Sequence, residues 1–247
     1  MKYVEHRIAC QPKARIWLDC LLDTLLPWSC VVCGLGCEAG GICPVCRRHL
    51  PWYRHACRQC ALPLPAGPDT LCGACLLRSP VFDAAVAPLL FHFPVNRLVH
   101  RFKFRRDVAT GRILARLLAD HLVARGTIAP DLLLPVPMHR LRLATRGLNP
   151  AFEVTRCCAR ALQLPYCAHA LQRHRHTPTQ TGLDAASRRR NLRGAFRWRG
   201  PNLEDKDVVL VDDVMTTGTT LSECARVLKR AGAARVSAWV LARAAHD

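Results

Sequence analysis

Apolar and polar positions change period repeatedly along this chain, and the changes divide it into elements. Between 16 and 28, Leu18, Leu21, Leu22 and Leu25 fall three to four apart around Asp19 and Asp23, which predicts a short amphipathic helix. Residues 81–93 are apolar with loose alternation and predict a strand. Pro94 then suits the first turn of a helix whose inner face is Leu98, Val99 and Phe102. A second helix is predicted over 113–123, with Ile113, Leu114, Leu117, Leu118 and Leu122 on one face and His121 at its edge. A strand over 131–136, a helix over 152–162 and a strand over 166–171 follow. The unbroken apolar run 208–211 reads as a strand buried on both faces. Leu221, Cys224, Val227, Leu228 and Ala231 mark the next helix, Gly232 its left-handed cap, and 235–242 a last strand. Strands alternating with helices predict an α/β domain with a mostly parallel sheet over 79–247.

The segment before it is different. Eight of the fifteen cysteines form four C-x-x-C pairs: Cys30/Cys33, Cys43/Cys46, Cys57/Cys60 and Cys72/Cys75. A C-x-x-C turn aims two thiolates at one ion, and two such turns complete a tetrahedral Zn²⁺ site. Gly34, Pro44 and Gly73 suit tight knuckles. Sequential pairing gives Cys30, Cys33, Cys43 and Cys46 on one ion and Cys57, Cys60, Cys72 and Cys75 on the other; interleaved pairing satisfies the spacing equally. A segment this short has little core, so metal supplies most of its folding free energy, and four-thiolate sites are structural. The expected organisation is an N-terminal helix over 1–29, a double zinc ribbon over 30–78 and the α/β domain over 79–247. Cys157, Cys158, Cys167 and Cys224 sit in apolar patterns, as small hydrophobes do.

Half the residues are hydrophobic, which excludes global disorder. No apolar run approaches the ~20 residues of a membrane span, and 16–28 lacks a signal-peptide layout, so a cytoplasmic protein is expected. The formal net charge is +18. Eight thiolates and two Zn²⁺ together leave it at about +14. Such a field favours polyanions, whether nucleic acid, a membrane surface or a polyphosphate substrate, without choosing between them.

The run 208–211 delivers Asp212 and Asp213 to the carboxyl end of a strand, where open α/β sheets place ligands. Val214 and Met215 lead into Thr216, Thr217, Gly218, Thr219 and Thr220, at the start of the next helix. Free N–H groups and the dipole at a helix N-terminus hold phosphate, and threonine hydroxyls add donors. Two adjacent carboxylates accept hydrogen bonds from vicinal sugar hydroxyls. A sugar phosphate fits that layout. Two cationic segments accompany it. Met138, His139, Arg140, Arg142 and Arg146 follow the strand at 131–136 in an expected loop, and Arg173 opens a long polar stretch to Asn191, as expected of a lid.

The block from Val208 to Thr220 resembles the PRPP-binding signature of type I phosphoribosyltransferases. Together with the zinc knuckles, the P-V-P-x-H-R-L-R-x-x-x-R-G segment at 135–147 and the R-x-R-x-T-x-x-Q-x-x-L stretch, it resembles the ComF family (ComFC/GntX-like). The resemblance implies a type I phosphoribosyltransferase-like parallel sheet with helices on both faces, preceded by a small double zinc ribbon. It implies that Asp212 and Asp213 hold the ribose hydroxyls or waters of Mg²⁺ bound with PRPP. Val214 to Thr220 would hold the 5′-phosphate, Met138, His139, Arg140 and Arg146 the pyrophosphate, and Arg173 the leaving group. It further implies a part in natural transformation, with single-stranded DNA, a competence helicase and a recombination mediator as partners. Leu148, Asn149 and Pro150 stand where the family usually has Phe-Asn-Gln, so Pro150 removes an amide there.

Two functions remain open on the residues alone. One is phosphoribosyl transfer to a nitrogen acceptor by electrostatic stabilisation of a cationic sugar transition state. The other is a non-catalytic PRPP or nucleotide sensor that binds single-stranded DNA, with Trp52, Tyr53 and Trp198 as candidate stacking surfaces.

Overall fold

The computed structural model describes residues 28–37, 40–65, 67, 70–127, 129–175 and 190–245. The helix expected over 16–28 lies outside the described residues up to 27, as do 176–189 of the expected lid. The chain divides into two compact units that meet at Arg48 and His49.

The first unit holds β1 (Trp28–Ser29) and β2 (Gly36–Cys37), paired antiparallel, and α1 (Pro44–Arg48). The turn between the strands closes through Gly34 N–H to Cys30 O at 2.8 Å, and Gly34 takes φ 79°, which glycine adopts without strain.

The second unit begins with the second cysteine segment and α2 (Gly73–Leu77). Then come β3 (Ala84–Val86), β4 (Leu89–Leu90), α3 (Val95–Phe104), α4 (Val108–Ala124), β5 (Leu132–Pro135), α5 (Arg140–Arg146) and α6 (Pro150–Leu162). The hairpin of β6 (Leu171–Arg173) and β7 (Phe196–Trp198) is antiparallel, and β8 (Asp207–Met215), α7 (Thr219–Arg230) and β9 (Arg235–Arg243) complete the unit. The main sheet runs β3-β9-β8-β5, all parallel, with β4 continuing β3's pairing along β9.

Three sequence expectations change in detail. The strand over 81–93 is two pieces, β3 and β4, because Pro88 lies between them and cannot donate to a ladder. The expected strand over 166–171 is a single parallel bridge from Tyr166 to Leu133, and regular pairing begins only at Leu171. Part of the basic segment expected as a loop is the seven-residue helix α5. His139 caps it by accepting the Leu141 N–H at 3.3 Å, and Gly147 ends it at φ 78°.

The period of two along the strands decides the layers. Val208 and Leu210 of β8, with Val236, Ala238 and Val240 of β9, share a core with Leu221, Cys224, Ala225 and Leu228 of α7 and with Phe196 of the hairpin. The alternate residues Val209, Val211, Trp239 and Leu241 are also buried, and α4 and α6 pack on that side. Burial on both faces explains the continuous apolar run; each such side chain contributes about 1.5–3 kcal/mol. The second cysteine segment joins this unit by Leu90 N–H to Pro51 O at 2.9 Å and Ala85 N–H to Arg58 O at 3.3 Å. Among the described residues, no helix is long and apolar enough to cross a membrane.

Candidate active site

At the carboxyl ends of β5 and β8, the chain must leave the sheet in two directions, toward α5 and toward α7. A cleft of about 640 Å³ opens there. Asp212 and Asp213 form its floor, Met138, Arg142 and Arg146 come from the β5 side, Arg173 from β6, and Thr220 from α7. α3 supplies Asn96, Arg97, His100, Lys103 and Phe104.

Both acids are fixed by the backbone that follows them. Asp212 Oδ1 accepts the Asp213 N–H at 2.9 Å and Asp213 Oδ1 the Val214 N–H at 2.7 Å. Asp213 is only 7% exposed and takes the Lys103 ammonium at 2.8 Å. Asp212 keeps some contact with solvent. Burial, and then the charge of Asp213, push its carboxyl up to about 7, against the pull of Lys103 and the Asp213 amide. Two carboxylates thus share one ammonium, and Asp212 gains from hydroxyl donors or from a cation's water shell. On the opposite wall, burial lowers the Arg146 guanidinium, opposed by the charge of Asp213. Burial and then repulsion from Arg142 lower Arg173. Arg146 rests over the Phe104 ring at 5.0 Å and Arg173 over Phe196 at 5.7 Å. Crowded guanidiniums gain from an anion between them.

The turn between β8 and α7 is built from the predicted residues. Gly218 holds φ 71° at the helix N-cap, and the Thr217 and Thr219 hydroxyls meet at 2.8 Å. Thr216 and Thr217 are exposed; Thr219 is buried, and the Met215 side chain belongs to the core. Val214 is partly exposed. His139 and Arg140 stand at the start of α5, beyond the cleft lining, Arg140 in solvent. Asn149 caps α6 by accepting the Ala151 N–H at 3.2 Å and donates to Val136 O at 3.1 Å. Pro150 therefore sits at the first helical position, where its missing N–H costs no helix bond.

Lys103, His100, Arg97 and Asn96 were not predicted as site residues. Their sequence mark is the face of α3 opposite Val95, Leu98, Val99 and Phe102, where 96, 100 and 103 fall at helical spacing. Of the proposed stacking aromatics, Trp52 stacks on His121 with ring centres 6.5 Å apart, Tyr53 donates to Ala61 O at 2.9 Å, and Trp198 donates to Pro201 O at 2.8 Å. Each therefore has part of its surface engaged within the protein, and all three are only half-buried. Phe93 and Phe104 are instead 66% and 60% exposed.

The cysteines resolve into two sequential tetrads, Cys30/Cys33/Cys43/Cys46 and Cys57/Cys60/Cys72/Cys75, with each set of sulfurs within 4.8 Å of one another. Burial raises Cys30 and Cys57, but backbone N–H donors outweigh it, Cys43's first for Cys30 and Cys72's first for Cys57. The two thiols fall to about 6 and about 7. Burial and the surrounding cysteines push Cys46 and Cys75 up. Four thiols this close ionise together only around a cation, and an all-sulfur tetrahedral set suits Zn²⁺.

Comparison with known proteins matches both the cysteine segments and the α/β part of the chain. The model of the phosphoribosyl transferase domain matches residues 112–247, and that of the double zinc ribbon domain matches 21–76. The DNA utilization protein YhgH of Escherichia coli O157:H7 is 37% identical over 224 residues, covering 88% of this chain and 98% of that protein. Competence protein F of Haemophilus influenzae is 34% identical, covering 88% and 97%. Competence protein ComFC of Bacillus subtilis is 29% identical, covering 83% and 78%.

Proposed function

This chain belongs to the ComF family, which joins a double zinc ribbon to a phosphoribosyl transferase domain, and on that premise we propose that the cleft binds PRPP with Mg²⁺ and serves DNA handling in competence. The observation that carries this reading is the meeting of Asp212 and Asp213 with Arg142, Arg146, Arg173 and Lys103 in one cleft beside the Thr216–Thr220 turn. The acids take the ribose hydroxyls, the turn takes the 5′-phosphate through backbone N–H groups and hydroxyls, and the arginines take the pyrophosphate. Mg²⁺ neutralises polyphosphate charge when bound, and Asp212 and Asp213 are the groups suited to its water shell.

Transfer needs no covalent nucleophile from the protein. Arg146 and Arg173 stabilise negative charge gathering on departing pyrophosphate, while the carboxylates face the positive charge developing on the sugar. Incubating the zinc-loaded chain with PRPP, Mg²⁺ and a panel of nucleobases tests turnover through pyrophosphate release. Release above the rate with PRPP alone supports transfer. Binding without release across the panel supports a sensor.

Single-stranded DNA as the second ligand is favoured by two ring–guanidinium pairs, of which Arg97, Phe104 and Arg146 line the cleft and Phe93 lies outside its lining. Exposed Phe93 carries Arg97 over its ring at 5.5 Å, and exposed Phe104 carries Arg146 at 5.0 Å. Aromatic faces interleaved with guanidiniums stack bases and hold phosphates without reading sequence.

A further inference from the structure

Among the described residues, one buried cation is not used by the cleft chemistry: Arg243, at the last position of β9 and 7% exposed. Its Nε–H donates to Cys60 O at 2.9 Å. The two hydrogens of its Nη1 are shared among Met215 O at 3.2 Å, Thr216 O at 2.5 Å and Ala244 O. One rigid guanidinium therefore joins two features that sequence distance keeps apart. Cys60 is a ligand of the second tetrad, and Thr216 opens the turn beneath the cleft. Further bonds tighten the junction: Ala244 N–H reaches Met215 O and Phe91 N–H reaches Arg243 O, both at 2.9 Å.

The carbonyl of Cys60 is aimed by the knuckle it belongs to. Ala61 N–H returns to Cys57 O and Cys57 N–H to Leu62 O, both at 2.8 Å, and Ala61 takes φ 53°. A left-handed residue other than glycine holds that conformation only when its surroundings enforce it. Metal held by Cys57 and Cys60, the ligands that precede Ala61, supplies such enforcement. A guanidinium is planar and delivers its donors in a fixed fork, so a shift of the Cys60 carbonyl moves the fork, and with it the carbonyls of Met215 and Thr216.

We propose that Arg243 is a positioning residue that couples the metal state of the second tetrad to the geometry of the turn at 216–220, and so to anion binding in the cleft. The anion-binding consequence rests on the reading of that turn as a sugar-phosphate site. The coupling itself does not.

Amide hydrogen exchange on the full-length, zinc-loaded chain without ligand tests it. Extracting zinc with a chelator is expected to speed exchange at 216–220 about tenfold, beyond the change in the knuckle itself. Arg243→Met, still zinc-loaded, is expected to show the same speeding at the turn, with little added by extraction. Arg243→Lys keeps the charge but not the fork, and serves the same test if the methionine variant does not fold. In parallel, PRPP–Mg²⁺ affinity of the wild type falls about tenfold on extraction, whereas that of the variant changes little. Unchanged protection at 216–220 after extraction, or wild-type protection in the zinc-loaded Arg243 variants, overturns the proposal. Failure of the loaded wild type to bind PRPP refutes the substrate reading and leaves the exchange result to decide the coupling.

Discussion

Replacing Asp212 by Asn is predicted to raise stability while removing ligand affinity. The carboxyl is raised from 3.8 to about 7 by burial and by Asp213. The folded state therefore disfavours the carboxylate. At about 1.4 kcal/mol per tenfold change in proton affinity, the ionised group at pH 7.5 destabilises the fold by as much as roughly 4 kcal/mol. Asp212 keeps some solvent contact and Lys103 lies close by, so about 2 kcal/mol is the expected gain. Asn retains the oxygen that accepts the Asp213 N–H. Between pH 4 and 7 the native chain binds this proton and the unfolded chain does not, so the group's effect on stability falls as pH rises. The variant lacks that loss. Thermal melts of both zinc-loaded proteins at several pH values read the difference. The variant should melt ~4–8 °C higher at pH 7.5. The gap should shrink from pH 7 to pH 5 and stay level above pH 7. A variant that melts lower at pH 7.5, or a gap that ignores pH, refutes this account of the carboxylate pair.

Lys103→Met leaves Asp213 buried without its ammonium and should cost about 2–3 kcal/mol in chemical denaturation, with Lys103→Met/Asp213→Asn recovering most of it. Cys72→Ser should lower bound zinc by one ion per chain, measured by metal analysis, and reduce the cooperativity of unfolding of the unit from His49 onward. Phe104→Ala should weaken binding of an oligothymidine by about 1–3 kcal/mol, with the salt slope unchanged and stability within ~0.5 kcal/mol of wild type. Arg97→Ala should instead lower the magnitude of that slope by about 0.7. Equal salt slopes for the two variants would contradict the separate roles of ring and guanidinium.

The parts of the fold that were legible in the sequence are those fixed by local pattern. Residues 208–211 are apolar because β8 is covered on both faces, and the break in apolarity at Asp212 marks the sheet's end. The C-x-x-C spacing specified eight ligands, but pairing them needed coordinates, because sequential and interleaved sets share the same local turns. Lys103 escaped because a helix is read first by its apolar face, and its partner Asp213 lies 110 positions away along the chain. Trp52 and Trp198 looked available because basic residues flank them. The Trp52 ring instead stacks on His121 and the Trp198 N–H is taken by the Pro201 carbonyl, contacts that no local pattern shows. Arg243 reads as an ordinary basic residue after an apolar strand; its burial among carbonyls from three segments exists only in the folded chain.

Calorimetric titration of PRPP with Mg²⁺ into the zinc-loaded chain, alongside Asp212→Asn/Asp213→Asn, tests the central claim most directly. The account predicts one saturable site per wild-type chain and at least a ~100-fold loss in the double variant, since each lost charge-assisted hydrogen bond costs about 1.5–3 kcal/mol. Equal affinity in the two proteins, or no heat of binding to the wild type, contradicts it.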